Sequence, residues 1–425
     1  MSSSQETLIP LSPTRPYPFI THGLPFDAAI ARHLSTTLSS KRPFILISRS
    51  LASSTSTLTA LASTLTSSGF AIAGIRRGMA PHTLYSDVLS VAREVSVSGA
   101  DSIVVVGGGS LIDGAKAVAF ALANGADDHE KLHHLLRTSN DIRHQKVDPA
   151  TVPAQKPGSI PLIIASTTLS AGEFNIFGAG ATDERTRHKQ LFSDPGTPEY
   201  LRVIAMDPEL TLTTPERVWL STGLRAVDHC VESVCSSKHN DGGTEAALRG
   251  LGRLVPSLLR TKREGKDKGA RLDSMLGTME SMRPFVVHGV PVGASHGIGH
   301  QIGPFGVPHA ETTCIALPAV QKFNARANAD RQAIVLDALW AQDVVAEVLT
   351  RHDLVKGEAD LGDVLDVIIR EMGFPRTLKE YGIGRDKLDA IAESALRDAL
   401  CQMNVVPLTR REQVLEILEM CVGDQ

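Results

Sequence analysis

Four histidines and one arginine are the side chains of this sequence whose spacing most readily supports chemistry. His296 and His300 share one face of a helical turn, and His309 follows a Gly/Pro-rich loop, in GASHGIGHQIGPFGVPHAETTCIALP. His229 lies in an earlier helical segment, GLRAVDHCVESVCS, together with Arg225. A lone histidine is usually a satisfied polar residue, but this grouping predicts a functional site, because imidazole can bind a metal or transfer a proton near neutral pH.

The helix that carries His229 places a cation beside it. Residues i and i+4 share a helix face whereas neighbours point about 100° apart, so His229 shares its face with Arg225 and not with Asp228. Arg225 can stabilise a developing negative charge, bind a substrate carboxylate through two hydrogen bonds, or pair with Asp228 at i,i+3. Asp228 is then expected on the helix surface or behind the site.

A triple glycine follows an apolar run in DSIVVVGGGSLIDGAKAVAFAL, a pattern typical of a strand, a loop and a helix. Glycines let the backbone approach a phosphate closely, and the N-terminus of the following helix offers N–H groups and a positive dipole end. The loop has neither the GxGxxG nor the Walker A pattern, and a tight structural turn is the alternative. We interpret Gly107, Gly108, Gly109 and Ser110 as a phosphate-binding loop.

The strand PFILIS ends in Ser48 and Arg49, where dinucleotide-binding folds carry an acidic residue for the ribose 2′-hydroxyl. An arginine at this point suits a 2′-phosphate, which favours NADPH over NADH. The alternative is that Arg49 is a surface residue.

Short apolar runs alternate with helical patterns in the first half of the chain. The runs predict strands at 43–48, 70–75, 101–106, 159–166 and 200–207, with helices over 51–69, 81–99 and from the glycine loop to Ala123. Strands that alternate with helices imply a parallel sheet covered on both faces. Later segments predict helices alone, at 215–238, 242–263, 311–325, 341–353, 358–372, 384–402 and 409–422. We therefore expect an α/β dinucleotide-binding domain over 1–206 and an all-α catalytic domain over 207–425.

The polar segment 124–159 contains four of the fifteen histidines. His129 and His133 have the i,i+4 spacing of metal ligands, but no carboxylate or cysteine completes a set at a diagnostic distance. We interpret the segment as a solvated insertion.

The bulk composition excludes several classes of protein. The net charge is −4 and charges of both signs are interspersed, so the sequence shows no cluster of positive charge that would bind nucleic acid or an anionic membrane. Polar residues interrupt the most apolar stretch, so no membrane span is expected. The first residues lack a basic region followed by an apolar run, and five cysteines form no CxxC pair. A cytoplasmic protein with reduced thiols that acts on a small molecule is expected.

These blocks together resemble the iron-containing alcohol dehydrogenase family, which shares its fold with dehydroquinate synthase. The resemblance covers most of the chain, and the GVPHAET…ALP block is most similar to the maleylacetate reductase branch. The matching blocks are GGGSLIDGAKAVA, STTLSAGEFN, HKQLFSD, VIAMDPELTLTTP, GLRAVDHCVES, HGIGHQIGPFGVPHAETTCIALP, MGFPRTLKEYGI and NVVPLT.

The resemblance implies NAD(P)H held over the glycine loop, catalysis in the cleft between the two domains, and a homodimer. It places Asp113, Thr167, Thr168 and Lys189 near the diphosphate, nicotinamide and ribose. In metal-dependent members an aspartate and three histidines hold one divalent ion. The positions of those three histidines correspond to His229, His296 and His309, while His300 corresponds to a histidine near the nicotinamide.

The sequence departs from the family pattern at the aspartate, where it has Arg225. The spacing from His296 to His309 is also one residue shorter than is typical of the family. A guanidinium beside a divalent ion in a desolvated cleft is repulsive by several kcal/mol, so we expect no metal. Any metal site would consist of the three histidines alone. The maleylacetate reductase branch also lacks this aspartate.

Three functions fit the sequence. The first is a metal-independent NAD(P)H-dependent reductase acting on a carbonyl or an activated alkene, for example a keto acid such as maleylacetate. Arg225 and one or more of His229, His296 and His309 would stabilise the oxygen, and His300 is the candidate proton donor. The alternatives are a non-redox cyclase, lyase or isomerase that uses the same cleft, and a catalytically silent nucleotide-binding protein.

Overall fold

The computed structural model describes residues 5–80 and 83–423, which form two compact units, Met1–Thr213 and Thr214–Gln425. The division falls after Thr213, whereas the sequence placed it after Met206. The intervening segment belongs to the first unit because Leu210, in the short helix Pro208–Thr211, packs in one of that unit's hydrophobic clusters.

The first unit is built on a seven-stranded sheet in the order β1-β2-β9-β6-β5-β3-β4, in which only the β1–β2 pair is antiparallel. An antiparallel hairpin, β7–β8, lies outside this sheet. The strands are β1 Thr7–Pro10, β2 Phe19–His22, β3 Pro43–Ile47, β4 Gly74–Arg77, β5 Ser102–Gly107, β6 Leu162–Ser166, β7 Gly178–Asp183, β8 His188–Ser193 and β9 Leu201–Met206.

The central strands are largely apolar because both faces of the sheet are covered. In β5, Ile103 and Val105 join the hydrophobic cluster on one face, while Val104 and Val106 join the cluster on the other. The covering helices confirm the predicted α/β architecture. They are α1 Phe26–Thr36, α2 Arg49–Ser54, α3 Thr57–Ser67, α4 Tyr85–Ser98, α5 Gly109–Asn124, α6 His129–Arg143, α7 Thr197–Tyr200 and α8 Pro208–Thr211.

Several predicted elements of the first unit differ from the structure. The strand predicted at 70–75 begins only at Gly74, and the helix predicted over 81–99 is α4, with Pro81 and His82 outside the described residues. Strands β1, β2, β7 and β8 are not predicted by the sequence. The interpretation of 124–159 as a solvated insertion is wrong for α6, because three leucines of this helix, at 132, 135 and 136, are buried in the core of the unit.

The second unit is helical, as predicted. Its helices are α9 Glu216–Cys235, α10 Asp241–Arg263, α11 Lys268–Val286, α12 Ala294–Ile302, α13 Thr312–Trp340, α14 Asp343–Arg351, α15 Leu361–Glu371, α16 Leu388–Ala395, α17 Ala399–Gln402 and α18 Arg411–Val422. Asn328 interrupts α13 with non-helical backbone angles. The sequence missed α11, and the helix predicted over 384–402 is divided into a 3₁₀ turn, α16 and α17.

Among the described residues, no helix combines the length and the apolar character needed to cross a membrane. All five cysteines are free and buried.

Candidate functional site

The carboxyl ends of three adjacent parallel strands carry the proposed cofactor residues of the first unit. Strands β3, β5 and β6 pair in register, with Ile47 opposite Val106 and Gly107 opposite Ser166. Ser48 follows β3, the glycine loop follows β5, and Thr167 and Thr168 follow β6. Ligands of open α/β sheets bind at this edge of the sheet.

The three glycines allow the loop to approach the neighbouring segments closely. A Cβ atom on Gly107 would lie 2.9 Å from Leu111 Cδ2 and 3.1 Å from Ser48 Cβ, and one on Gly108 would lie 3.1 Å from Thr168 Cγ2. Gly108 is the N-cap of α5 and has no side chain to bond the first-turn N–H groups. The helix start is therefore available to an anion.

The segment after β6 contributes residues that the sequence analysis missed. A Cβ atom on Gly109 would lie 3.1 Å from Ser170 Cβ, and Ser170 Oγ lies 3.0 Å from Thr168 Oγ1. Lys116, fully buried in α5, donates to the carbonyl oxygens of Gly172 and Asn175 at 2.7 and 2.6 Å. It therefore holds the turn that presents Ser170 against the glycine loop.

Burial dominates the electrostatics of this region. It raises the pKa of Glu173 to about 7 and lowers that of Lys116 to about 8, although each residue favours the charged form of the other. Burial also raises the pKa of Asp113, against the opposing effects of Lys189 and Lys116. Lys189 Nζ lies 3.9 Å from Asp113 Oδ2. The structure thus places these two proposed cofactor residues together, on α5 and β8. Arg49 is exposed at the start of α2, directly after Ser48.

The second unit brings most of the remaining proposed residues together around α9. Glu232, one turn beyond Asp228, accepts hydrogen bonds from Ser295 N at 2.7 Å and Gly293 N at 2.9 Å. These bonds fix the start of α12, because they satisfy N–H groups that the first turn of a helix leaves unpaired. His296 follows directly and is held over α9.

His296 lies against two buried carboxylates. Its Nδ1 is 2.8 Å from Glu232 Oε2 and 3.1 Å from Asp228 Oδ2. Burial and Arg225 lower the pKa of His296, but these carboxylates hold it above its ordinary value. Asp228 is fully buried, so a position on the helix surface is wrong, whereas the expected place behind the site agrees with the structure.

Arg225 is buried and connected to Asp228 through Thr313. Its Nη1 donates to Thr313 Oγ1 at 3.1 Å and to Thr312 Oγ1 at 3.3 Å, and Thr313 Oγ1 donates to Asp228 Oδ2 at 2.7 Å. Burial lowers the pKa of Arg225 while Asp228 and Glu232 oppose the shift, and a guanidinium stays charged under such conditions. An exposed i,i+3 pair with Asp228 is therefore wrong.

His229 stacks on His296, with ring centroids 4.7 Å apart. Burial, then His296 and Arg225, lower the pKa of His229 well below its ordinary value, so the ring is neutral. Three buried polar atoms here have no hydrogen-bond partner among the described residues: His229 Nδ1, His296 Nε2 and Asp228 Oδ1. Burying a polar atom without a hydrogen bond costs free energy, so these three atoms indicate a further hydrogen-bond partner at this site.

His300 and His309 form a second stacked pair, with centroids 6.1 Å apart. His300 Nδ1 lies 2.9 Å from Asp398 Oδ2, which orients the ring. Burial lowers the pKa of His300, and the hydrogen bond to Asp398 opposes this shift. His309 is exposed in the 3₁₀ turn His309–Glu311, and its carbonyl oxygen accepts a hydrogen bond from Thr312.

The donor set does not fit the metal implied by the family resemblance. Within the described part of the chain, His229, His296 and His309 do not form a trio whose ligand atoms all lie within 4.8 Å of one another. The face where the fourth ligand would stand carries the Arg225 guanidinium. The buried trio in this unit is instead Asp228, Glu232 and His296, whose carboxylates already accept hydrogen bonds from His296 Nδ1 and from neighbouring hydroxyl and amide groups.

One of the missed residues had a signal in the sequence. Glu232 lies at i+7 from Arg225, so it shares the face of Arg225 and His229 on α9. Thr313 and Asp398 come from distant segments that only the fold brings near.

Comparison with known proteins agrees with this architecture. The family model described as iron-containing alcohol dehydrogenase matches residues 26–205, and the model described as Fe-containing alcohol dehydrogenase family, C-terminal, matches residues 219–422. Dehydrogenase FUM7 of Gibberella moniliformis is 37% identical over 421 residues, covering 95% of this chain and 96% of its own. Dehydrogenase ALT3 of Alternaria alternata is 36% identical over 400 residues, covering 89% of this chain and 98% of its own.

Solved structures share the fold at lower sequence identity. Maleylacetate reductase from Rhizobium sp. has a TM-score of 0.72 at 23% identity, with 99% of each chain covered. Sulfoacetaldehyde reductase from Bifidobacterium kashiwanohense, in complex with NAD+, has a TM-score of 0.78 at 17% identity, with 97% of this chain and 98% of that chain covered. Because the two family models together match most of the sequence, this chain belongs to the iron-containing alcohol dehydrogenase family and is an oxidoreductase of that type.

Proposed function

We propose that this enzyme is an NAD(P)H-dependent reductase that transfers hydride to a carbonyl or an activated alkene without the family's metal ion. The observation that carries the proposal is Arg225, a buried cation held by Thr312 and Thr313 on the same helix face as His229. A fixed guanidinium can stabilise the negative charge that develops on the substrate oxygen, which is the task of a Lewis-acidic ion in metal-dependent enzymes.

The first unit supports nicotinamide dinucleotide binding. The glycine loop allows the backbone to approach a diphosphate closely and leads into the N-terminus of a sixteen-residue helix, which can bind its negative charge. The loop consists of Gly107, Gly108, Gly109 and Ser110. The other proposed cofactor residues are Ser48, Thr167, Thr168 and the Asp113–Lys189 pair. Exposed Arg49 favours the 2′-phosphate of NADPH. The bound cofactor supplies the hydride.

The second unit supports charge stabilisation and proton transfer. Glu232 and Asp228 lie against His296 Nδ1 and raise the pKa of this ring, while its Nε2 is on the opposite side and has no partner among the described residues. His296 Nε2 and Arg225 are assigned to the substrate oxygen, with His229 and His309 beside them. His300, oriented by Asp398, is assigned as proton donor.

A keto acid of the maleylacetate type is the proposed substrate class. A carboxylate is the group that a buried guanidinium binds most selectively, through two parallel hydrogen bonds. In this alternative assignment Arg225 orients the substrate acid group, and the imidazoles alone stabilise the carbonyl oxygen.

The test is a substrate panel assayed with NADPH and NADH, using Arg225→Met and the charge-preserving Arg225→Lys. The proposal predicts oxidation of the reduced cofactor by a keto acid or an enone acid. Arg225→Met should lower kcat/KM by about 10²- to 10³-fold, as measured for the loss of one charge-stabilising donor. Binding of the cofactor without its oxidation, combined with conversion of a substrate, would identify a non-redox cyclase, lyase or isomerase instead.

The proposed cellular setting is the cytoplasm, and the proposed assembly is a homodimer. Sedimentation of the purified chain at twice its mass, 45.4 kDa per chain, would support the dimer. Sedimentation as a monomer would contradict it.

A further inference from the structure

We propose a second functional feature in the first unit: a binding site for one divalent transition-metal ion of the zinc type. It consists of His129 and His133 on α6 together with Asp183 and Glu184 at the end of β7. None of these four residues is among the proposed cofactor residues or the residues of α9.

The two histidines lie one turn apart and face the same carboxylate. His129 Nε2 is 2.9 Å from Asp183 Oδ1, and His133 Nδ1 is 3.7 Å from Asp183 Oδ2. The two rings are parallel to within 3°. Ligand atoms about 2.0–2.1 Å from a tetrahedral ion stand about 3.4 Å apart, so the observed separations bracket the required one.

A second carboxylate lies within reach. His129, Asp183 and Glu184 each offer a ligand atom, and these atoms all lie within 4.8 Å of one another. His133 lies outside this trio, 3.7 Å from the second oxygen of Asp183, so its ring has to turn towards the trio to complete the set. Two imidazoles and two carboxylates suit zinc and its neighbours in the transition series.

The polar atoms at this point are incompletely paired. His133 Nδ1, although it faces Asp183, makes no hydrogen bond to any described residue, and neither does the buried hydroxyl of Tyr85 beside the two rings. Asp183, whose side chain is 4% exposed, takes hydrogen bonds at one oxygen from His129 and from Arg185 N. A cation between the rings and the carboxylates would be bound by the unpaired Nδ1 of His133.

Nearby cations do not oppose the ion. The Arg185 guanidinium pairs with Glu130 at 2.7 Å, so its charge is already compensated. The two carboxylates of the site then offer negative charge for a divalent ion to balance.

The site would join three segments that are distant in sequence. The start of α4, which carries Tyr85, is linked to β7 by the hydrogen bond from Thr182 N to Thr83 O at 2.8 Å. Helix α6 supplies the histidines and the hairpin supplies the carboxylates. The ion has a stabilising role, because binding to the folded state alone raises the free energy of unfolding.

The test is zinc binding to the full chain after chelator treatment and dialysis, measured by competition with a chromogenic chelator. Cobalt substitution then reports the coordination geometry through its visible absorption. The variants are His133→Gln and Glu184→Gln, which alter side chains that are not part of the hydrophobic core, and the matched control is His134→Gln, the exposed neighbour on α6.

We expect one tightly bound equivalent per chain and a higher melting temperature with zinc. His133→Gln should weaken binding by at least about tenfold, and His134→Gln should leave it unchanged. Failure to bind an equivalent would overturn the proposal. So would binding that survives in His133→Gln and is lost in His296→Gln, since that pattern would place the ion in the second unit.

Discussion

The hydrogen-bonded chain from Arg225 through Thr313 to Asp228 leads to a quantitative prediction about charge coupling. The two hydrogen bonds, 3.1 and 2.7 Å long, place Arg225 Nη1 no more than about 6 Å from Asp228 Oδ2. With an effective dielectric constant of about 20, two unit charges at that separation attract by about 3 kcal/mol. Because both side chains are buried, salt screens this attraction little.

The perturbation is a double-mutant cycle of Arg225→Met and Asp228→Asn. Each single change removes one of two opposite buried charges, although Asp228 keeps its contact with His296, so each should cost up to about 3–5 kcal/mol in the free energy of unfolding. The double variant removes both charges and should cost less than the sum of the two, by about 1–3 kcal/mol. Thr313→Val, which interrupts the chain but keeps both charges, should cost about 1–3 kcal/mol.

The assay is equilibrium unfolding of the full chain in urea, followed by circular dichroism near pH 7. Additive costs for the two single changes would refute the coupling, and with it the conclusion that Asp228 keeps the Arg225 guanidinium in place. A single change that costs less than about 0.5 kcal/mol would also contradict the burial argument.

Three further predictions concern the first unit. Burial raises the pKa of Glu173 from 4.5 to about 7, so the free energy of unfolding should fall by about 3 kcal/mol as the pH rises from about 4.5 to 7. Glu173→Gln should reduce this fall when the free energy of unfolding is measured in urea at several pH values. The same pH dependence in Glu173→Gln and in the unchanged protein would contradict the prediction. Gly108→Ala, whose Cβ would lie 3.1 Å from a Thr168 methyl carbon, should weaken cofactor binding at least about tenfold in fluorescence titrations. The control Gly252→Ala, on the second unit, should not weaken it. Arg49→Gln should weaken NADPH binding by about 5- to 50-fold and leave NADH binding unchanged, since only the former carries the 2′-phosphate; equal effects on both cofactors would assign Arg49 to the surface.

The sequence predicted the elements whose burial pattern is strong and local. Strands β3, β5, β6 and β9 are largely apolar because they lie inside a covered parallel sheet, and the glycine loop follows directly from β5. The hairpin β7–β8 escaped prediction because β7 consists mainly of small residues and β8 mixes buried residues with exposed ones such as Lys189 and Leu191, so neither strand forms a long apolar run. Helix α11 escaped it because apolar residues do not concentrate on one side of this largely buried helix.

Only those relations in the candidate site that lie within a single helix could be predicted from the sequence. The i,i+4 relation of Arg225 and His229 gave the shared face, and i+7 would have added Glu232. The contacts to Thr313 and Asp398 join segments about 85 and 98 residues apart, so no local spacing encodes them. The same limit hid Asp183 from His129 and His133, and made a packed helix look like a solvated insertion.

The central claim is that a fixed guanidinium has replaced the family's metal ion at α9. This is tested by measuring the metal content and the turnover after chelation on one preparation of the His133→Gln variant. In that variant the proposed zinc site of the first unit does not contribute to the metal content. We expect less than about 0.1 equivalents of iron or zinc and unchanged kcat/KM for the reduced cofactor and substrate. One equivalent of metal whose removal abolishes turnover and whose return restores it would contradict the replacement of the metal by Arg225.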